Sequence, residues 1–422
     1  MGRSLTLRKR APYHEPMEAK LPYGHSASLS LQVSDDKLLA WHQPHAGQPL
    51  DDIVAAMAAA VLDPIGFPPL TQAVVPGDRI AIPLDPALPR PQRLVAGLVG
   101  SLCEAGIAPS DITILAVGGD PESKSDPRSE LPEAIAKQIT FLVHDPADRE
   151  VLGFLATSSE NQPIYLNRAI QDAEVVLPIG CLRPESAVAY HGIHTVLFPT
   201  YADAATLERY QKASNEDSPV AQRRRKEESQ EAAWLLGLNA TIQVIPAGGN
   251  SILQIMAGDP EKVQETGTRC VAAAHRHEVQ QQAQLVIVAI DGDAAHQTWE
   301  NVARSVNAGL SAVTEGGSVV VCSELETSPG TALAQLAHEE DVPLAGHTIR
   351  GQKAADAVAA AQLLAAREQA NLFLLSRLEQ EIVSELGLAP IKDAMEVHRL
   401  CDRSASCILI SAAQFADMHV VM

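Results

Sequence analysis

The sequence predicts an α/β protein: two α/β domains with mainly parallel sheets facing an interdomain cleft. Three observations lead there. Short apolar runs alternate with helix-length stretches, the pattern of a parallel sheet covered on both faces. That rhythm occurs once in the first 270 residues and again from about residue 275. And 422 residues is roughly two to three domains' worth of chain.

In order along the chain, Ala27 to Val33 alternates apolar and polar residues, as a half-buried strand does. Asp51 to Leu62 is predicted helical, with Asp63-Pro64 as its stop. Pro76-Gly77-Asp78 is a turn feeding a buried strand that ends in the carboxylate Asp85. A helix over Pro91 to Ala105 follows, then a strand over Ile112 to Val117 that ends at Gly118-Gly119-Asp120. Further strands are predicted at Thr140 to Val143, before His144-Asp145, and at Glu174 to Ile179, before Gly180-Cys181. In such sheets the ligand sits beyond the carboxyl ends of the strands. Asp85, Asp120, His144 and Glu185 all fall at or just past such ends.

The second unit opens with a strand over Gln284 to Ile290, ending at Asp291-Gly292-Asp293. A helix over Thr298 to Val313 leads through Glu315-Gly316-Gly317 into a strand over Ser318 to Ser323, and Asn371 to Ser376 and Ser406 to Ser411 are further strands. Residues 214–232 are highly charged and read as a surface helix. The expected division is an N-terminal domain over 1–270, rejoined by 400–422, and a C-terminal domain over 275–398, with a small-molecule site between them.

Composition narrows the function. Aromatic residues are only 4%, so the core must come from Ala, Leu, Val and Ile. Acidic residues number 52 against 32 basic ones, and the resulting charge of −20 repels phosphate backbones, which argues against a nucleic-acid partner. The one dense basic run, Arg223 to Lys226, is followed by Glu227, Glu228 and Glu231 and reads as a solvated helix face. No apolar run approaches the roughly 18 residues that span a bilayer, and the basic N-terminus has no apolar stretch behind it to act as a secretory signal. Six scattered cysteines without a CxxC pair suit a reducing, cytoplasmic setting. Nothing in the composition sets the oligomeric state.

The chain has no GxGxxG, GxxxxGK[ST], HExxH or GxSxG motif. Its richest stretch runs from Gly180 to Thr195 and holds Arg183, Glu185, His191 and His194 within sixteen residues, just after a strand. His191 and His194 are three apart and suit one divalent metal with Glu185 as a third ligand. The plainer reading is a loop whose histidines hydrogen-bond to backbone or water.

Taken together, several segments resemble the nickel-dependent lactate racemases, which use a nickel-pincer nucleotide. Pro64-Ile65-Gly66-Phe67-Pro68-Pro69-Leu70, Gly77-Asp78-Arg79-Ile80 and the strand to Asp85 resemble the family's N-terminal segment. His144-Asp145-Pro146, Leu152-Gly153, Thr157-Ser158 and Ile164 to Asn167 are similar to its central strand and loop. Ser218-Pro219-Val220, Ala232-Ala233 and Ala257-Gly258-Asp259-Pro260 continue in register. The resemblance implies a lysine that holds the cofactor covalently, nickel ligands that include histidine, and two histidines acting as base and acid on the substrate hydroxyl.

This chain departs from that pattern at the chemistry. The two catalytic histidines fall on Asp120 and Glu185, and the cofactor lysine falls on Thr195. The nickel-binding histidine falls near Gln211, and the second-domain lysine near Ala303. The arginine after Asp85 is missing, with Arg90 two positions later. By resemblance, then, Asp120 and Glu185 stand at the catalytic positions, and Asp85, Arg90 and Thr195 at cofactor-binding ones. Three functions remain: a family member with lost or altered 2-hydroxy-acid chemistry and a small-ligand cleft, an active racemase or epimerase using the nickel-pincer nucleotide, or an unrelated divalent-metal enzyme built on Glu185, His191 and His194.

Overall fold

The structure is a computed structural model and describes residues 17–45, 47–117, 126–185, 187, 189–211, 219–337, 348–349 and 354–421. It is α/β throughout, with two parallel sheets as its frame. The first holds four parallel strands in the order Thr140–His144, Ile112–Val117, Ile80–Pro83, Val175–Val176. All four residues of Ile80–Pro83 are buried, because helices cover both faces of a central parallel strand. Helices Ile53–Leu62 and Pro91–Glu104 pack on one face, bringing Met57, Leu94 and Leu98 against Ile80 and Ile82. Gly97 is required at their crossing, since a Cβ there would lie 2.7 Å from the Cβ of Met57. The other face carries Phe198, Tyr201, Tyr210 and the helix Pro219–Leu235.

Pairing then continues sideways. Leu84 bridges Ile179, and Ile179–Cys181 starts a three-stranded sheet with the antiparallel hairpin Thr241–Pro246 and Ile252–Gly258. The single strand predicted over Glu174 to Ile179 is therefore two short ones in different sheets, broken at Pro178.

The second sheet has six parallel strands, ordered Ala389–Ile391, Asn371–Leu375, Val313–Cys322, Ala283–Ala289, Cys407–Ile410, Leu38–His42. Helices Trp299–Ala312 and Ala357–Arg367 cover one face. The antiparallel hairpin of Met17–Tyr23 with Ala27–Val33 and the helix Ala394–Arg403 cover the other. Residues 407–410 thus lie inside the second sheet rather than returning to the first, and residues 38–42 join them there. The chain enters the second sheet, leaves to build the first lobe, and comes back.

The basic run differs from its sequence reading. Arg225 is buried, donates to the Arg209 carbonyl at 3.0 Å and lies over the Tyr210 ring. Glu228, one turn on, is buried too and takes two hydrogen bonds from Arg209, at 2.6 and 2.7 Å. The inner face of this helix is 225, 228, 229, 232 and 233, a normal helical spacing. It is hidden in the sequence because its first two positions are charged. No helix among the described residues is long and apolar enough to cross a membrane.

Candidate functional site

The strands of the first sheet end at one side, and the residues past those ends open on a cleft of about 320 Å³. Asp85, Arg90 and Val117 line one wall; Asn250, Asp293 and Ala295 face them. Asp293 and Ala295 follow the second sheet's strand Ala283–Ala289, so the cleft lies between the lobes.

The cleft floor is pinned from below. The buried Tyr201 hydroxyl lies 2.8 Å from the Leu84 carbonyl and 2.6 Å from the Leu115 carbonyl, and it accepts the Leu84 N–H at 3.0 Å. It thereby ties the ends of two adjacent strands together. Burial raises its pKa well above the ordinary phenol value, so it stays a donor.

Asp85 is buried at this floor. Its Oδ1 accepts the Ala87 N–H at 2.8 Å, closing an Asx turn, and its Oδ2 accepts the Cys181 N–H at 3.2 Å. Arg183 reaches it from the loop after Cys181, at 3.4 Å, and lies over the Tyr190 ring. Burial works against the charge on Arg183, but Asp85, together with Cys181, Glu300 and Tyr190, more than offsets this, and the guanidinium's pKa is raised. Burial also pushes the Cys181 thiol up to about 12, so it is an inert thiol.

Sequence reasoning missed one cation here. Ala303 is fully buried against the second sheet, but its neighbour Arg304 turns toward the first lobe. Arg304 pairs with Glu300 and donates to Asn301 Oδ1 at 2.8 Å. Burial lowers its pKa; Glu300 and Asp85 oppose that, while the charge of Arg183 adds to it. The two lobes thus bring two buried guanidiniums into the field of one buried carboxylate. The signal was an amphipathic helix carrying one arginine on its inner face.

Arg90 stands differently. It is the N-cap of helix Pro91–Glu104, held at φ 51°, in the left-handed region that a non-glycine residue rarely adopts. Such strain clusters at ligand sites. Its side chain is exposed on the cleft wall and has no ion-pair partner among the described residues.

The loop from Arg183 to Thr195 is put to structural use. Thr195 Oγ1 accepts the His191 N–H at 3.0 Å and donates to the Gly192 carbonyl at 2.7 Å, closing a turn in which Gly192 has φ 87°. Glu185 is exposed and held by Lys226 Nζ at 2.5 Å. His191 is buried with its ring edge-on to Tyr210, and burial, with Arg225 adding to it, lowers its pKa to about 3. Burial lowers His194 to about 4, and its Nδ1 is buried without a hydrogen-bond partner among the described residues. His144 is locked between Asn167 and the Ala202 carbonyl. Asp120 lies outside the described residues, and Gln211 only ends the helix Ala204–Tyr210.

Among the described residues, no three His, Cys, Asp or Glu side chains are placed to hold a metal. Glu185, His191 and His194 are therefore not assembled as a ligand set. The nickel-pincer nucleotide does not fit these residues either. Position 195 offers a hydroxyl already spent on a turn, and the amine of Lys226, beside Gly192, is engaged with Glu185.

Residues 23–221 match the family model of the lactate racemase N-terminal domain. These residues, just under half of the chain, thus correspond to a lactate racemase N-terminal domain. The structure is similar to that of the lactate racemase apoprotein from Thermoanaerobacterium thermosaccharolyticum, with a TM-score of 0.78 and 17% identity over 96% of this chain and 100% of that one. It is also similar to a protein from Thermotoga maritima, with a TM-score of 0.62 and 12% identity over 89% of this chain and 99% of that one. Comparison with curated protein sequences gives no match. At these identities the structural likeness speaks for the fold, which spans both lobes.

Proposed function

We propose that this lactate-racemase-like protein has a substituted active site, has lost or changed the family's 2-hydroxy-acid chemistry, and keeps its interlobe cleft as the site of a small anionic ligand of that class. Thr195 carries the reading: the position of the family's anchoring lysine is a turn-closing hydroxyl with both of its hydrogen bonds made. Glu185, at a catalytic histidine's position, is exposed and already paired with Lys226. Arg90, with no ion-pair partner among the described residues and at the cleft wall above a helix N-terminus, suits a carboxylate.

The test is to purify the protein after co-expression with the enzymes that make the pincer nucleotide. The expected result is an unmodified intact mass, no stoichiometric nickel, and no interconversion of D- and L-lactate. Calorimetry with glycolate and lactate should show binding that Arg90→Ala weakens at least tenfold. A cofactor-sized mass adduct with bound nickel would overturn the reading, as would ligand binding indifferent to Arg90→Ala.

A further inference from the structure

Two stretches of chain link the lobes. Residues 43–52 run from the strand Leu38–His42 to the helix Ile53–Leu62, and residues 276–282 run from the helix Pro260–His275 to the strand Ala283–Ala289. They lie side by side: the His45 N–H donates to the Ala274 carbonyl at 2.6 Å, and His45 Nε2 donates to the Arg276 carbonyl at 2.9 Å. Four histidines collect at this double crossover. The His277 ring lies 4.6 Å from that of His45 and 5.1 Å from that of His42, centroid to centroid. His275 donates to the Pro246 carbonyl and packs on Phe415.

This cluster has no part in the cleft, yet its nitrogens are unusual. His277 is 2% exposed and its Nδ1 has no hydrogen-bond partner among the described residues; His42 Nε2 is likewise buried without one there. An unsatisfied buried polar atom costs free energy, and an extra proton here would leave a charge with no acceptor. The charged and titratable groups around the cluster are Arg276 and Glu278 on the strand of His277, and Asp417 and His419 on the strand paired with it. Asp417 is already bonded to His419 at 2.8 Å. Among the described residues, no carboxylate hydrogen-bonds to the rings of His42 or His277, and the charge of Asp417 only partly offsets the cost of protonating His277.

We propose that His42 and His277, packed against His45 and with His275 behind them, form a proton-sensitive clasp that holds the two crossovers together while the rings of His42 and His277 are neutral and lets the lobes swing apart when those two rings are protonated. Burial first, and then the neighbouring imidazoles, lower His277 to about 3; burial lowers His275 to about 4, and His42 is lowered too. A freed imidazole titrates near 6.5. The clasped form is therefore undisturbed above about pH 6.5 and is progressively disfavoured as pH falls toward 4, because only the opened form takes up protons.

The test is amide hydrogen exchange on the full chain at pH 7.5 and 5.0, corrected for intrinsic exchange. The amides of His45, Leu50 and Val421, which bond Ala274, Ile252 and Val279, report on the crossovers, and Val286 to Val288 in the second sheet serve as the reference. Expected is a loss of protection of at least tenfold at the crossovers, with the reference unchanged. In His42→Gln/His277→Gln the loss should shrink below threefold. His42→Gln alone, at a half-buried position, gives an intermediate loss if the double variant does not fold. Equal crossover protection at the two pH values, or a wild-type-sized loss in the folded variants, would overturn the clasp.

Discussion

Removing Arg183 isolates the charge that the cleft floor is built around. Asp85 and Arg183 are both buried, with 3.4 Å between Oδ1 and Nη2. At an effective dielectric constant of about 20, that contact represents about 5 kcal/mol of attraction. The net effect is smaller, since removing one partner of a buried pair costs about 3–5 kcal/mol, most of it from the charge left behind. Arg183→Leu leaves Asp85 with its Ala87 and Cys181 N–H donors and with Arg304 still in its field. The expected loss is therefore at the low end, about 3 kcal/mol. Asp85→Asn should cost more, because it leaves Arg183 and Arg304 facing each other with only Glu300 to balance them. The double variant should lose at least about 1.5 kcal/mol less than the sum of the singles. Urea unfolding followed by circular dichroism measures all four proteins. A loss below about 1 kcal/mol for Arg183→Leu, strict additivity, or the reverse order of the singles would refute this account of the floor.

Tyr201→Phe removes one buried hydroxyl that bridges two strand ends and should cost about 1–3 kcal/mol by the same unfolding assay. Thr195→Val should cost about 1–2 kcal/mol through the turn it closes, while Thr195→Lys restores an amine without restoring lactate racemisation, measured after cofactor co-expression. His191 and His194 are neutral when folded, with pKa values lowered to about 3 and 4, and titrate near 6.5 when unfolded. Thermal stability should be flat above about pH 6.5 and fall as pH drops toward 4, and His194→Gln should reduce that fall.

The repeating strands of both sheets were legible wherever an apolar run was short, unbroken and bounded by turn residues. Ala27–Val33 and Ile112–Val117 appear with the boundaries read from the sequence, and the helices at 53 and 91 begin within two residues of them. The antiparallel hairpins at 152–167 and 241–258 were less visible, because their strands are joined locally and belong to neither parallel rhythm. Leu38–His42 was illegible for another reason: its neighbour is Cys407–Ile410, and no local pattern encodes so distant a pairing. At the site, Asp85 was legible from its place at the end of a strand, and Arg90 only from the family resemblance. Arg304 was not, since its importance comes only from the other lobe. His191 and His194 carried the sequence signal of a metal pair, but burial and packing on Tyr210 decide their chemistry.

The pairing of Leu38–His42 with Cys407–Ile410 also sets the order of events during synthesis. After Leu38–His42 leaves the ribosome, its partner is translated some 370 residues later, which at ordinary elongation rates is about 20–70 s. Through that interval the first lobe can complete itself, while the hairpin bearing Leu21, Leu29 and Leu31 has no sheet to cover. The earlier-made strand of this pair waits longest for its place, and a nascent-chain chaperone would meet a long-lived sticky surface there.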